Sequence, residues 1–216
     1  PRGVAEAADL PVTFAGISRY NVANPLPAAA ACDALGLTTR QIGAGLRSFG
    51  LDAETNPGRL NVYERSGTFV IVDFAHNEAG LIGLIEVARA LAGSCRVRLA
   101  FGTAGDRTDE ILHRLGFIAG GADDVVIAEK EHYLRGRKLE EMNELLRAGA
   151  RESGYRRAIR SAGSELEALK VLLKRAKRGD VCVVMALVER RELHDWLDAH
   201  GFTPVGTDRL RQHLGS

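Results

Sequence analysis

Asn56-Pro-Gly-Arg-Leu-Asn61 and, a few residues on, Phe69-Val-Ile-Val-Asp-Phe-Ala-His-Asn77 decide how this chain is read. Together they spell a tight turn, a short strand, a second turn at Ser66-Gly67 and an apolar strand, with a helix expected from Glu78. Ser-Gly between two strand-like runs signals a hairpin. The apolar strand ends in Asp73, His76 and Asn77. Polar groups at the carboxyl end of a strand, beside a helix N-terminus, are where open α/β sheets bind ligands.

Downstream, strand-like and helix-like runs alternate. Strands are expected at 59–65, 68–73, 96–101, 124–128, 156–160 and 181–187, and helices at 78–92, 108–120, 138–152, 164–177 and 189–200. Gly93, Gly121, Gly154, Gly179 and Gly201 each follow an expected helix, where a left-handed residue stops it. Ser164-x-x-Glu167 has the spacing of a capping box. Strands separated by helices of this length imply parallel βαβ units with right-handed crossovers. Residues 57–216 thus read as a three-layer, Rossmann-like α/β domain, mostly parallel, whose N-terminal antiparallel hairpin forms one edge.

Upstream the pattern differs. Residues 1–10 are rich in Ala and acid and resemble a tail, and 12–14 suggest a short strand. Residues 21–35 form an Ala-rich helical stretch with Pro25 in its first turn, where a missing N–H costs nothing. Thr38 or Thr39 caps a second helix over 39–48, with Ile42, Leu46 and Phe49 on one face. The polar loop 50–57 reads as a linker. Residues 1–50 are therefore expected to pack loosely on the α/β unit as a remnant of something larger. The absence of Met before Pro1 suggests a processed, cloned or excised piece of something longer.

The hydrophobic fraction of 45% and charged fraction of 26% are those of an ordinary globular domain able to bury a core. A net charge of +1 offers no excess of cation for nucleic-acid phosphates, and the basic run 147–178 reads as solvated helix faces. Cys32, Cys95 and Cys182 lie far apart without CxxC spacing, as reduced, buried thiols of a cytoplasmic protein would. No run is apolar enough to span a bilayer, and no signal peptide is visible.

Arg59 follows the Pro57-Gly58 turn, and a planar guanidinium at a strand mouth suits phosphate or carboxylate. A surface or hinge arginine is the alternative. Asp73 can accept bonds from ribose hydroxyls, while His76 and Asn77 edge a helix N-terminus that favours an anion. Asn77 reads equally well as a helix cap and Asp73 as a turn former. Gly102-Thr-Ala-Gly-Asp-Arg107 places Asp106 and Arg107 in the same crevice if strands 68–73 and 96–101 are neighbours. It matches neither the phosphate loop nor GxGxxG. The charged run 129–138, with Arg135 and Arg137, could bind a charged amino acid or be a solvated loop. His113, His194, His200 and His213 lack metal-ligand spacing.

Four motifs in register, Asn56-Pro-Gly-Arg59, Asp73-Phe-Ala-His-Asn77, Gly105-Asp-Arg107 and Leu134-Arg-Gly-Arg137, resemble the C-terminal domain of the Mur ligase superfamily, most nearly its cyanophycin-synthetase type. Residues 19–49 look like the end of that family's central ATPase domain, and 57–200 like its C-terminal domain. The resemblance implies an ATP-dependent amide ligase. ATP phosphorylates a carboxylate, and an amine attacks the acyl phosphate. Arg59 would then reach the nucleotide phosphates and Asp73 the ribose, with His76 and Asn77 near the nucleotide or reacting groups. Asp106, Arg107, Arg135 and Arg137 would lie near the incoming amino acid. Phe74 stands where Tyr is common, Glu78 where Pro is common, and Met185-Ala-Leu-Val-Glu-Arg190 is atypical.

The chain carries no GK[ST] phosphate loop. The resemblance therefore implies a ligase fragment, inactive alone, that contributes to ATP binding. Mg²⁺ would be held mainly by the missing central domain. Implied partners are an amino acid, a carboxylate acceptor, the rest of the ligase chain and a second copy, with no nucleic acid or membrane. Folate polyglutamate and peptidoglycan-precursor ligases are the alternatives within the superfamily. A non-catalytic module binding a nucleotide or partner protein is the alternative outside it.

Overall fold

A computed structural model describes residues 3–215. Its elements are α1 (Arg19–Ala23), α2 (Pro25–Ala34), α3 (Thr39–Ser48), β1 (Asn61–Arg65), β2 (Thr68–Asp73), α4 (Glu78–Ala92), β3 (Val97–Phe101), α5 (Asp109–Ala119), β4 (Asp124–Ala128), α6 (Leu139–Glu152), β5 (Arg160–Ala162), α7 (Glu165–Leu173), β6 (Val181–Met185), α8 (Arg190–Ala199), β7 (Thr203–Pro204) and α9 (Thr207–Leu214).

One seven-stranded sheet runs β5-β4-β3-β6-β2-β1-β7. The five strands from β5 to β2 are parallel, and β1 is antiparallel to both neighbours. The expected mostly parallel sheet with an antiparallel hairpin is thus present. Two details differ. The hairpin is not the edge, because β7 pairs with β1; two residues, one a proline, leave no periodicity to read. And β2 and β3 are not neighbours, because the chain returns through α7 and lays β6 between them. Strand order is set by long-range packing that the local pattern does not encode.

Alternation along β2 explains the layers. Phe69 and Ile71 point into one core with α4, α5 and α6, while Val70 and Val72 point into the other with α7 and α8. Helices α5 and α6 pack backbone to backbone. A Cβ on Gly116 would collide with the Leu146 carbonyl, and one on Gly149 with the His113 carbonyl.

The buried Arg98 lies near the amino ends of the parallel strands. Its guanidinium donates to Asp180 and to Asp124, each at 2.9 Å. All three side chains are at most 6% exposed.

The N-terminal segment departs from expectation in places. Residues 11–13 form a 3₁₀ turn rather than a strand. The expected helix at 21–35 is split at Pro25, which opens α2. Thr38 makes a complete capping box with Gln41, whereas Ser164 caps α7 and Glu167 turns to Lys170 instead. The segment is anchored, not loose. Phe14 sits in the first core, and the Tyr20 ring lies where a Cβ on Gly83 would be, 2.6 Å away. Helix α2 buries no residue, and Leu26 and Leu35 stand exposed. Of the three free thiols, Cys182 is buried and Cys32 and Cys95 are half-buried. Among the described residues no helix is long and apolar enough to cross a membrane.

Candidate functional site

The Asn-Pro-Gly-Arg turn and the end of β2 are built into one unit by Asp73. Its Oδ2 accepts the Leu60 N–H at 2.9 Å and its Oδ1 the Ala75 N–H at 2.7 Å. Leu60 needs this support, since it is not glycine yet has φ 49°. Gly58 accepts the Phe74 N–H at 2.7 Å through its carbonyl and donates its own N–H to Asn61 Oδ1 at 2.6 Å. Arg59, held between these ties, lays its guanidinium over the Phe74 ring, 5.1 Å from the centroid. Burial pushes the Asp73 carboxyl up to about 6, against the two N–H donors and the nearby Arg59 and His76.

His76 is exposed and its Nδ1 lies 3.1 Å from the Phe74 carbonyl. Asn77 caps α4, accepting the Gly80 N–H at 2.8 Å. All four of Arg59, Asp73, His76 and Asn77 line one cavity of about 540 Å³, whose opposite wall is the N-terminal segment: Tyr20, Asn21, Asn24, Leu46 and Phe49. Most of its wall is apolar, with Arg59, Asp73, His76 and Asn77 on one side and the amides of Asn21 and Asn24 on the other, a pattern suited to a flat apolar group with polar attachments. Sequence reasoning gave the N-terminal wall no role. The signal was there in Asn21-x-x-Asn24, two amides on neighbouring helical turns; Asn24 donates to Asn21 at 3.0 Å.

Asp106, Arg107, Arg135 and Arg137 gather elsewhere, at the carboxyl ends of β3 and β4, and none lines the cavity. The assumption that β2 and β3 adjoin is corrected by the intervening β6. Arg135 pairs with Asp106 at 2.5 Å, and that hydrogen bond holds the Asp106 carboxyl below its ordinary range. Arg137 is committed to the local loops. It donates to the carbonyls of Gly105 and Arg107 and pairs with Glu141 and Asp109. This cluster ties the loop after β4 to the loop after β3. His194 is buried against Tyr63, whose hydroxyl lies 2.8 Å from its Nδ1.

A third set escaped the sequence reading. Lys130, 3% exposed, pairs with the buried Glu165 at 2.8 Å. Burial lowers the Lys130 pKa while Glu165 opposes the shift. The Glu165 carboxylate also accepts the N–H groups of Leu187, Val188 and Glu189, and Glu189 accepts that of Leu166. The loop between β6 and α8 is thereby pinned beside β2, where Ala186 N–H donates to the Asp73 carbonyl at 2.7 Å. Among the described residues no cluster of three or more His, Cys, Asp or Glu side chains is placed to hold a metal ion.

Comparison with known proteins agrees with this arrangement. The family profile "Mur ligase, glutamate ligase domain" matches residues 58–187. The chain is 30% identical over 182 residues to cyanophycin synthetase of Geminocystis herdmanii (strain PCC 6308), covering 84% of this chain and 20% of the relative. It is 33% identical over 187 residues to UDP-N-acetylmuramyl-tripeptide synthetase of Deinococcus radiodurans, covering 85% and 36%. E. coli FolC, solved with ADP and without folate substrate, matches with TM-score 0.58 and 27% identity over 82% of this chain and 39% of that one. The chain thus spans only a fraction of each relative's length. From Gly58 to Leu187 strands β1 to β6, the side of the cavity formed by Arg59, Asp73, His76 and Asn77, and the Asp73 tie fall inside the matched profile, and the chain belongs to the Mur ligase C-terminal (glutamate ligase) domain family, a family of ATP-dependent ligases.

Proposed function

We propose that the chain is the nucleotide-closing and amino-acid-binding portion of an ATP-dependent amide ligase of the cyanophycin-synthetase type, without activity on its own. The observation that carries this reading is the shared cavity, in which Arg59, Asp73, His76 and Asn77 face Tyr20, Asn21 and Phe49. The adenine takes the apolar part, the ribose lies toward Asp73 and the phosphates toward Arg59 and the free N–H groups of α4.

In the complete ligase the carboxylate acceptor attacks the γ-phosphorus and ADP leaves. The amine of the incoming amino acid then attacks the acyl carbon, loses its proton, and phosphate departs with the C–O electron pair. This chain supplies positioning and charge for those steps, which are the main sources of phosphoryl-transfer catalysis. Mg²⁺ belongs to the part of the ligase outside this chain. Asp106, Arg107, Arg135 and Arg137 stand toward the incoming amino acid, with Arg135 breaking its pair with Asp106 to reach it.

The test is phosphate release with amino acid and acceptor, measured on this chain and on the polypeptide encoded with its upstream sequence. Turnover is expected only from the longer protein, which should carry an in-frame phosphate loop. Robust turnover by the 216-residue chain, or an upstream sequence lacking that loop, overturns the reading.

A further inference from the structure

Phe74 carries a second cation. Arg190, the first residue of α8, stacks its guanidinium 4.8 Å from the same ring centroid over which Arg59 lies at 5.1 Å. The two guanidinium carbons are therefore within about 10 Å of each other. Neither guanidinium makes an ion pair or a hydrogen bond among the described residues, although the Arg59 backbone N–H donates to the Asn56 carbonyl at 3.3 Å. Asp73 is close enough to be felt, but both its oxygens are occupied by backbone N–H groups.

Arg190 is also placed, not free. Its stem packs on the turn at Gly58, where φ is +74° and a Cβ would stand 2.7 Å from the Arg190 Cδ. The three residues before it are pinned through their N–H groups by Glu165, itself paired with Lys130. The protein thus holds two unneutralised guanidiniums on one ring at the edge of the cavity. Such an arrangement costs mutual repulsion, and a multiply charged oxyanion between the two relieves it.

We infer that Arg59 and Arg190 form a paired guanidinium clamp for a phosphate group, and that Arg190 is a phosphate-binding residue in its own right. The inference rests on the nucleotide reading above only for the source of that phosphate. Two sources share the chemistry: the terminal phosphates of a nucleotide and the acyl phosphate of an activated carboxylate.

The experiment is an NMR titration of the ¹⁵N-labelled chain, with the Nε–H signals of the two arginines assigned from Arg59→Lys and Arg190→Lys. The probes are pyrophosphate, acetyl phosphate and adenosine, each added at constant ionic strength. Pyrophosphate or acetyl phosphate should move both Nε–H signals with one common midpoint. Arg190→Ala should weaken that midpoint by roughly tenfold or more, the loss of one charge-assisted contact. The tighter of the two phosphate probes identifies the source. Movement of Arg59 alone, or of neither signal, overturns the clamp. Adenosine reports separately, on the Tyr20 and Asn21 signals. If it perturbs them while the phosphates leave both arginines still, the clamp fails and the nucleotide cavity stands. If the phosphates bind and adenosine does not, the clamp stands and the nucleotide reading fails.

Discussion

Asp73 Oδ2 accepts the backbone N–H of Leu60 at 2.9 Å, across the hairpin from β2 to the turn that precedes β1. That one bond holds a left-handed non-glycine residue in place and aims its neighbour Arg59. The same carboxylate lines the cavity while being only 8% exposed. Its two tasks conflict, because burial disfavours the charge that the ligand and the N–H groups require.

The conflict predicts a pH dependence. The Asp73 pKa is raised by burial to about 6 from an ordinary 3.8. The folded state therefore holds this proton more tightly than the unfolded chain. The stability so gained is full below the ordinary value and is lost as pH rises through about 6. The loss is on the order of 2–3 kcal/mol. Urea melts of wild type and Asp73→Asn at pH 4 and pH 7 isolate it. The wild type should lose that much stability relative to the variant between the two values. Parallel profiles would sink the assignment.

Arg98 yields a prediction about folding alone. It neutralises two buried carboxylates, Asp124 and Asp180. Arg98→Met keeps the bulk but leaves Asp180 without a cation among the described residues and Asp124 with only Arg160 at 3.3 Å and Arg175 at 3.7 Å, at a cost of about 3–5 kcal/mol. A chemical melt should show it at neutral pH. A loss below about 1 kcal/mol would mean that water or Arg160 replaces the guanidinium.

Much of this was legible in the sequence, and the boundary is physical. The parallel unit could be read because β2, β3, β4 and β6 are short apolar runs separated by helices with local start and stop signals. So could the grouping of Arg59 with Asp73, His76 and Asn77, because turn, strand and helix are contiguous there. The place of β6, the cover of β1 by β7 and the wall formed by Tyr20 and Asn21 depend on contacts between distant parts of the chain. Lys130 and Glu165 lie 35 positions apart in charged-looking contexts, so nothing local marks them as a buried pair.

Glu165 should behave as a pin for the loop before α8. Glu165→Gln retains one acceptor but loses the charge that Lys130 and three N–H groups share. Hydrogen exchange should show the amides of Leu187 and Glu189 losing protection by roughly tenfold or more, equivalent to about 1.4 kcal/mol of local opening. The amides inside β6 should stay slow. Uniform loss across the sheet would indicate global destabilisation instead.

Helix packing gives a sharp case at Gly149. A methyl there would meet the His113 carbonyl, a backbone atom that cannot rotate away. Gly149→Ala should force α5 and α6 apart and cost about 3 kcal/mol or more, beyond the ordinary overpacking range because the obstacle is backbone. Thermal melts of this variant beside Gly163→Ala, where a Cβ meets nothing within 4 Å, make the comparison. Equal stabilities would refute the close approach.

Arg59 gives the functional prediction. Its guanidinium makes no ion pair or hydrogen bond among the described residues and rests on Phe74 at the cavity edge, so little of the fold depends on its charge. If it holds the nucleotide phosphates, its contribution exists only in the loaded enzyme and counts toward turnover when the ligase closes. Arg59→Ala in the intact ligase should then lower turnover or nucleotide affinity roughly 10- to 100-fold, the value of one charge-assisted contact at about 1.5–3 kcal/mol. Its melting temperature without nucleotide should stay within a degree or so of wild type, as for surface substitutions generally. An arginine that served only to hold the turn would reverse the pattern, with a lower melting temperature and normal kinetics per folded molecule. Steady-state kinetics and a thermal melt on the same preparation decide between the two.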